Sequence, residues 1–331
     1  MYKTIIGIDI GGTKCAVILG SSTNGKEIEI VDRISFPTEA AKGSEHTISK
    51  IIDNINEIIA KHKLRIEDVS GIGISCGGPL DSRRGVILSP PNLPGWDNIE
   101  IVDILNKRFD VPVGIQNDAN ACALAEWKFG AAQCYSNVVF LTFGTGMGAG
   151  MILNGQLYSG TSDMAGEIGH VRLAEYGPVG YGKTGSFEGF CSGGGIAQLA
   201  RIKALEKIQM GEDVSFCSDI KDLDNINAKM VFDAAKAGDS LALEICDIVG
   251  MYLGKGLSLL IDIINPEIIV IGSIFVRAKD LIWPKANEII ERETLRSNRR
   301  ACAVVPAGLG EQIGDYAALG VAVNISAAFD S

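Results

Sequence analysis

The 331-residue sequence lacks the features of a membrane protein or a secreted protein. No apolar run approaches the ~20 residues that a membrane-spanning helix needs. The N-terminus has neither the basic start nor the small-residue cleavage site of a signal peptide, and Asp9 interrupts its apolar run. None of the eight cysteines forms a C-x-x-C pair, and most lie in apolar segments, so we expect reduced core side chains. These absences predict a cytoplasmic protein with no membrane partner.

An excess of positive charge is also missing. The chain has 30 Lys and Arg against 40 Asp and Glu, and its formal net charge of −10 disfavours a nucleic-acid partner. That charge does not disfavour ATP, which local amides and a metal ion can neutralise. The sequence contains no G-x-x-x-x-G-K-[ST] loop and no G-x-S-x-G elbow, which disfavours an ordinary P-loop enzyme and a serine hydrolase.

What is present is an alternation of strands and helices in a chain long enough for two domains. The pattern predicts strands near residues 3–9, 14–20, 28–36, 69–75, 85–88, 111–116, 267–272 and 301–305. It predicts helices near residues 44–63, 99–108, 119–130, 191–208, 228–236, 240–262, 278–295 and 314–328. The alternation favours the α/β class.

Two glycine-rich turns follow apolar strands and resemble each other. "IIGIDIGGTKCAVILG" (5–20) and "VFLTFGTGMGAGMILNG" (139–155) each read as strand, small-residue turn with threonine, and strand. Glycines in such turns allow φ > 0 and leave backbone N–H groups accessible, which suits phosphate oxygens. Tight hairpin turns between buried strands are the alternative. If the repeat is real, duplicated domains face one another across a cleft and hold one polyphosphate from both sides.

A carboxylate follows the strand near 111–116, in "IQNDANACALAE" (115–126). Asp118 at a strand end beside a cleft is well placed for acid–base chemistry. Alternatively, Asp118 or Asn120 caps the following helix by binding its first amides.

Candidate sugar-binding groups cluster in glycine-rich segments. "GEIGH" (166–170) holds Glu167 and His170, and Glu188 follows in "GKTGSFEGF". Together they could present donors and acceptors to vicinal hydroxyls. The loop "SPPNLPGW" (89–96), with Asn92, closes over a ligand or is a rigid surface loop. The other two histidines, His46 and His62, are predicted to be solvated.

Taken together, these segments resemble the ROK family (repressors, open reading frames and kinases), which includes sugar kinases of the actin-like ATPase superfamily. "IGIDIGGTKCAV" resembles the first phosphate loop, "GIGISCGGPLD" and "PNLPGW" the sugar-loop region, and "QNDANACALAE" the catalytic-base motif. "LTFGTGMGAGMILNG" is similar to the second phosphate loop, "GEIGH" to the sugar-binding motif, and "NPEIIVIGS" (265–273) to the adenosine-side strand. The six motifs occur in the family's order, and the resemblance runs over essentially the whole chain.

The resemblance implies an α/β fold with two actin-like (ribonuclease H-like) domains around an interdomain cleft. It implies a small domain at 1–118 completed by the C-terminal helix at 313–331, and a large domain at 119–312. The cofactors it implies are ATP and Mg²⁺, and the substrate is a hexose phosphorylated at its hydroxymethyl oxygen. A homodimer is common in the family.

Site roles follow from the matched motifs. Asp118 is implied as the general base, and Asp9 as a group that holds Mg²⁺. The sugar would be bound by Asn92, Asn117, Asp118, Glu167, His170 and Glu188. The nucleotide would be bound by Asp9, Gly11, Gly12, Thr13, Lys14, Gly144, Thr145, Gly146 and Gly272.

One segment departs from the family pattern. Many members bind structural zinc through the histidine of G-E-x-G-H and a downstream C-x-C-G-x-x-G-C-x-E, which here reads "VGYGKTGSFE" (179–188). Val179, Tyr181 and Ser186 stand where the three cysteines would be. We therefore expect no zinc site.

Two other functions remain alternatives. The family also contains sugar-sensing transcriptional regulators, which carry a winged helix-turn-helix ahead of the kinase-like part. Here the first phosphate strand begins at Tyr2 or Lys3, which is expected to leave no room for such a domain. A catalytically silent sugar-binding protein is the other alternative, disfavoured by Asp118 and the two glycine turns.

For the proposed kinase, glucose is the default substrate, but N-acetylhexosamines and fructose fit similar sites.

Overall fold

The computed structural model describes residues 2–23 and 27–329. Within these residues the strands are β1 (Tyr2–Ile10), β2 (Lys14–Thr23), β3 (Glu27–Pro37), β4 (Val69–Cys76), β5 (Leu80–Asp81), β6 (Val86–Ile87), β7 (Val113–Asn117), β8 (Val138–Leu141), β9 (Ala149–Leu153), β10 (Gln156–Tyr158), β11 (Val179–Gly180), β12 (Lys183–Thr184), β13 (Ile268–Ile271) and β14 (Ala303–Pro306). The α-helices are α1 (Ser44–Lys61), α2 (Ile101–Phe109), α3 (Asp118–Phe129), α4 (Phe187–Phe190), α5 (Gly193–Gln209), α6 (Ala228–Lys236), α7 (Ser240–Ile264), α8 (Ile274–Glu293), α9 (Arg296–Ala301) and α10 (Ile313–Phe329).

Each strand and helix predicted from the sequence has a counterpart, so the α/β class is confirmed. The largest displacement is at α8, which begins at Ile274 instead of near 278 because the turn after β13 leads directly into the helix. The short elements β5, β10, β11, β12, α4 and α9 were not predicted, since two to six residues carry no measurable hydrophobic period.

The first five-stranded sheet of the described chain has the order β3-β2-β1-β4-β7. Strands β1, β2 and β3 form an antiparallel meander, and β4 runs parallel to both β1 and β7. The core on one face of this sheet contains Ile6, Ile8, Val17 and Ile74, which are buried with α1 residues such as Ile51. The carboxyl ends of β1, β4 and β7 therefore lie at one edge of this sheet.

The second five-stranded sheet has the order β10-β9-β8-β13-β14. Here β9 and β10 are antiparallel, while β13 runs parallel to β8 and β14. When the strands of each sheet are numbered along the chain, both sheets have the order third, second, first, fourth, fifth. In both, the glycine-rich turn follows the central strand. The internal repeat predicted from the two glycine turns is therefore confirmed.

Helix α10 packs on the first sheet through small residues. A Cβ on Gly73 in β4 would overlap the α10 backbone at Ala318 and Ala322, and one on Gly7 in β1 would lie 2.9 Å from the Ala318 Cβ. Glycine at these positions lets the helix approach the sheet closely.

The chain divides into two compact units. One comprises Met1–Ser136, Gly150–Ala165 and Gly308–Ser331, and the other Asn137–Ala149 and Gly166–Ala307. The domain boundaries proposed from the sequence, 1–118 with 313–331 and 119–312, stay predictions.

Some side-chain environments differ from expectation. Cys15, Cys76, Cys191, Cys217 and Cys246 are buried and free, as predicted, whereas Cys134 is exposed. His46 and His62, predicted to be solvated, have side chains that are 34% and 28% exposed. Each also contacts a carboxylate: His46 Nε2 lies 2.9 Å from a Glu39 oxygen and His62 Nε2 lies 2.7 Å from an Asp32 oxygen. These carboxylate contacts were not predicted from the sequence. Among the described helices, none combines the length and the apolarity that crossing a membrane would take.

Candidate active site

Asp118 is the first residue of α3, directly after β7. Its Oδ1 accepts a hydrogen bond from the Ala119 N–H at 2.8 Å, and the Asn117 Oδ1 accepts from the same N–H at 2.9 Å. Asn117 is the N-cap residue, so the capping role does not depend on Asp118 alone. Asn120, the other predicted cap, is buried inside the helix.

The electrostatics around Asp118 favour a proton acceptor. The residue is exposed to solvent, yet desolvation by the surrounding protein raises the pKa of its carboxyl. Burial, followed by the charges of Asp315 and Asp118, raises the pKa of Asp9 to about 6, while Arg33 and Lys14 lower it. Asp9 thus interacts with the carboxylates of Asp118 and Asp315 within the first unit, and their charges make it more basic.

The first glycine turn joins β1 to β2. The Gly11 N–H donates to the Lys14 carbonyl at 3.1 Å and closes the turn, while Thr13 and Lys14 are exposed. A Cβ on Gly12 would lie 2.5 Å from the Asn92 carbonyl oxygen. The turn therefore packs against the loop of Asn92, a residue that is itself exposed.

The second glycine turn joins β8 to β9. The Gly144 N–H donates to the Gly146 carbonyl at 3.1 Å, and the Gly193 N–H at the start of α5 donates to the Gly144 carbonyl at 2.8 Å. Thr145, between the two turn glycines, is exposed. Gly272 follows β13 and its N–H donates to the Leu141 carbonyl at 2.9 Å, which holds the β13 turn beside the end of β8.

The turn glycines do not use the positive φ that glycine allows. Gly11, Gly12, Gly144 and Gly146 all lie in the described chain, and none of them has a positive φ. The physical reason for glycine at two of them is close approach: the Cβ position of Gly12 meets the Asn92 carbonyl, and that of Gly146 lies 2.9 Å from Glu188 Oε2.

Glu188 links the sugar-motif segment to the second glycine turn. Its Oε2 accepts a hydrogen bond from the Met147 N–H at 3.0 Å. Glu167 precedes the single helical turn Ile168–His170, and both Glu167 and His170 are exposed. A Cβ on Gly169 in that turn would overlap the Met147 carbonyl and lie 3.3 Å from the Glu188 Cβ. The structure thus brings Glu188, this turn and the second glycine turn together within the second unit.

Three residues near these groups were not identified as site residues from the sequence. Arg33 Nε donates to both Asp315 carboxylate oxygens, at 2.9 and 3.0 Å, which ties β3 to the start of α10 beside Asp9. Ser273, after Gly272, has φ 54° and ψ −112°, a strained backbone for a residue with a Cβ. A carboxylate in the first turn of α10 was the available signal for Asp315; none existed for Arg33 or Ser273.

The segment that departs from the family pattern forms the β11–β12 hairpin. Ser186 caps α4: its hydroxyl accepts from the Gly189 N–H at 3.1 Å and lies 3.4 Å from the Gly180 carbonyl, to which it donates. Val179 and Tyr181 are exposed, and the Tyr181 and His170 ring centroids are 6.4 Å apart in an edge-to-face arrangement. Valine, tyrosine and a capping serine do not supply the thiolates of a structural zinc site.

The sequence model of the ROK family matches residues 5–324. A glucokinase from Halalkalibacterium halodurans is 33% identical over 88% of this chain and 86% of its own. A xylose repressor from Caldicellulosiruptor bescii is 30% identical over 88% of this chain and 71% of its own. The structure of a ROK family glucokinase from Streptomyces griseus, in complex with glucose and AMPPNP, is similar with a TM-score of 0.73 at 28% identity, covering 97% of this chain and 99% of that one. This likeness confirms the predicted actin-like fold, and the chain belongs to the ROK family.

Proposed function

We propose that the chain catalyses ATP-dependent phosphorylation of a hexose, with Asp118 as the general base. The main support for this proposal is the exposed carboxylate of Asp118 at the start of α3, because desolvation raises its pKa. A carboxylate with a raised pKa is a stronger proton acceptor. The relative named glucokinase and the glucokinase complex with glucose and AMPPNP support this reaction class.

In the proposed reaction the hydroxymethyl oxygen of the sugar attacks the γ-phosphorus of ATP. The new oxygen–phosphorus bond forms as the bond to the β–γ bridging oxygen breaks, ADP leaves, and the hydroxyl proton passes to Asp118. Most of the catalysis of such a transfer comes from positioning and charge stabilisation. We assign sugar binding to Asn92, Asn117, Glu167, His170 and Glu188.

Phosphate binding is assigned to the backbone of the two glycine turns. The Gly11 and Gly144 N–H groups close their own turns, so the amides of Gly12, Thr13, Thr145 and Gly146 are those proposed to donate to phosphate oxygens. Lys14 and Gly272 complete the proposed nucleotide-binding set.

Asp9 suits a divalent cation. Burial and neighbouring carboxylates raise its pKa to about 6, and a bound Mg²⁺ would relieve the repulsion among these groups. Bound with the nucleotide, Mg²⁺ would neutralise phosphate charge. The cytoplasmic location and the homodimer remain part of the proposal.

The test is a coupled assay of ADP release with about a dozen sugars, including glucose, fructose and N-acetylhexosamines. We expect release that depends on Mg²⁺ and on one sugar or a small set of hexoses. The likeness to a xylose repressor bears on the regulator alternative. A regulator or a silent binding protein would bind a sugar in calorimetry without releasing ADP. That result would refute the kinase proposal.

The glycine turns give a separate prediction. Gly12→Val and Gly146→Val should each weaken ATP binding by about tenfold or more, equivalent to at least ~1.4 kcal/mol. The added side chains would meet the Asn92 carbonyl and the Glu188 carboxylate and displace the turns. Calorimetric titration with ATP measures the affinity, and a cooperative thermal transition verifies the fold. Normal ATP affinity in either variant would mean that its turn does not bind phosphate.

We also predict that the purified protein contains no stoichiometric zinc. Structural zinc sites use four ligands, mainly Cys and His. His170 is the one candidate of this kind in its segment, and Cys191 lies beyond Glu188, which leaves the tetrahedron incomplete. A zinc-selective chelator, used with Mg²⁺ in excess, should therefore leave both activity and melting temperature unchanged. Elemental analysis with close to one zinc per chain, and loss of sugar binding on chelation, would contradict this prediction.

A further inference from the structure

One side chain of α5 holds both backbone polar groups of Val179 in the β11–β12 hairpin. The Val179 N–H donates to Gln198 Oε1 at 3.0 Å, and Gln198 Nε2 donates to the Val179 carbonyl at 2.9 Å. A primary amide carries the same donor and acceptor as a peptide group, so Gln198 pairs with Val179 as a neighbouring strand would. We propose that Gln198 is a positioning residue for the sugar-binding groups Glu188 and His170. This inference rests on the proposed function.

The connection from Val179 to Glu188 passes through Gly180. Gly180 is buried, and a Cβ on it would lie 2.6 Å from the Gly189 nitrogen and 2.8 Å from the Glu188 Cβ. Strand β11 therefore lies directly against the first turn of α4, with the Ser186 hydroxyl bridging the two. Movement of Val179 away from α5 carries Gly180 with it and removes the packing that fixes the Glu188 backbone.

The same hairpin also contacts the His170 segment. Lys183 Nζ, on β12, donates to the His170 carbonyl at 2.8 Å. Gly169, next to His170, lies so close to Glu188 that a Cβ on the glycine would be 3.3 Å from the Glu188 Cβ. The hairpin thus touches the segments of both proposed sugar-binding groups, and its position sets theirs.

The hairpin itself is short and its side chains are largely exposed. Its two strands have two residues each, and Val179 and Tyr181 are 42% and 78% exposed. Tyr181 and Gly182 at its tip have φ values of 43° and 74°. A short hairpin with little apolar burial is marginal by itself. The two hydrogen bonds of Gln198 therefore attach β11 to α5, in addition to the contacts of the hairpin with α4 and with His170.

Two substitutions test the proposal. Gln198→Ala removes both hydrogen bonds, and Gln198→Glu keeps the acceptor for the Val179 N–H but loses the donor to its carbonyl. We expect both to raise the KM for the sugar about fivefold or more, as lost hydrogen bonds of ordinary strength would, with the KM for ATP and the melting temperature nearly unchanged. Gln209→Ala, at the exposed end of the same helix, is the control. A normal sugar KM in Gln198→Glu would overturn the proposal, because the paired hydrogen bonds would then be dispensable.

Trypsin provides a readout that does not need catalysis. Lys183 lies in the hairpin, so release of the hairpin should speed cleavage after Lys183 in both Gln198 variants and not in Gln209→Ala. Faster cleavage with an unchanged sugar KM would overturn the positioning role. If the unmodified protein phosphorylates no sugar, the proposed function fails and the sugar role of Gln198 fails with it, whereas the cleavage rate still reports whether Gln198 holds the hairpin.

Discussion

Asp118→Asn is expected to lower kcat by at least ~10²-fold, the low end of a general base's contribution. An amide of the same shape cannot accept the proton of the attacking hydroxyl. The substitution should leave the fold intact, because the oxygen of the new amide could still accept from the Ala119 N–H and Asn117 already caps α3. Sugar affinity should change little, since the amide still forms hydrogen bonds with hydroxyls.

The measurement is kcat from steady-state ADP release together with sugar affinity from calorimetry. Asp53→Asn, an identical chemical change on the exposed side of α1, is the matched control and should be neutral. Turnover close to that of the unmodified protein would remove Asp118 from the proposed mechanism. Loss of sugar binding together with turnover would assign it to binding instead of proton transfer.

Central strands such as β8 and β13 could be predicted from the sequence because they are continuous apolar runs. Residues such as Ile72 and Ile74 in β4, or Ile268 to Ile271 in β13, leave no polar position that a helix surface would need. The repeated turn sequence after β1 and β8 also showed that the two sheets have equivalent starts, which their common strand order confirms. Local sequence was enough for these features since each depends on neighbouring residues.

Contacts between distant segments could not be predicted in the same way. The Glu188 hydrogen bond to the Met147 N–H spans 41 residues, and the Arg33–Asp315 pair spans 282. Neither has a local pattern, because a carboxylate or a guanidinium on the surface of an element can bind many partners. The turn glycines were identified from the sequence, but the neighbouring groups that approach Gly12 and Gly146 are not visible in the turn sequence.

Glu126 lies in the catalytic-base motif, but no role was predicted for it from the sequence. It ends "QNDANACALAE", and its side chain in α3 is fully buried. Its Oε2 accepts hydrogen bonds from the Ala131 N–H at 2.7 Å and the Gly308 N–H at 3.1 Å, and its Oε1 accepts from the Leu309 N–H at 3.0 Å. One carboxylate therefore fixes the turn after α3 and the segment that leads into α10, all within the first unit.

Glu126→Ala should therefore lower the free energy of unfolding of the first unit by about 3 kcal/mol or more, because three N–H groups lose their acceptor at roughly 1–3 kcal/mol each. Glu126→Gln should cost less, since its remaining oxygen still accepts from at least one of the three N–H groups. Glu57→Ala on the exposed side of α1 is the control and should change stability by less than ~0.5 kcal/mol. Urea unfolding measures the energy, and hydrogen exchange at Gly308 and Leu309 locates the loss. If exchange at these amides were unchanged in Glu126→Ala, water or another group would be replacing the carboxylate, and the anchoring role would be wrong.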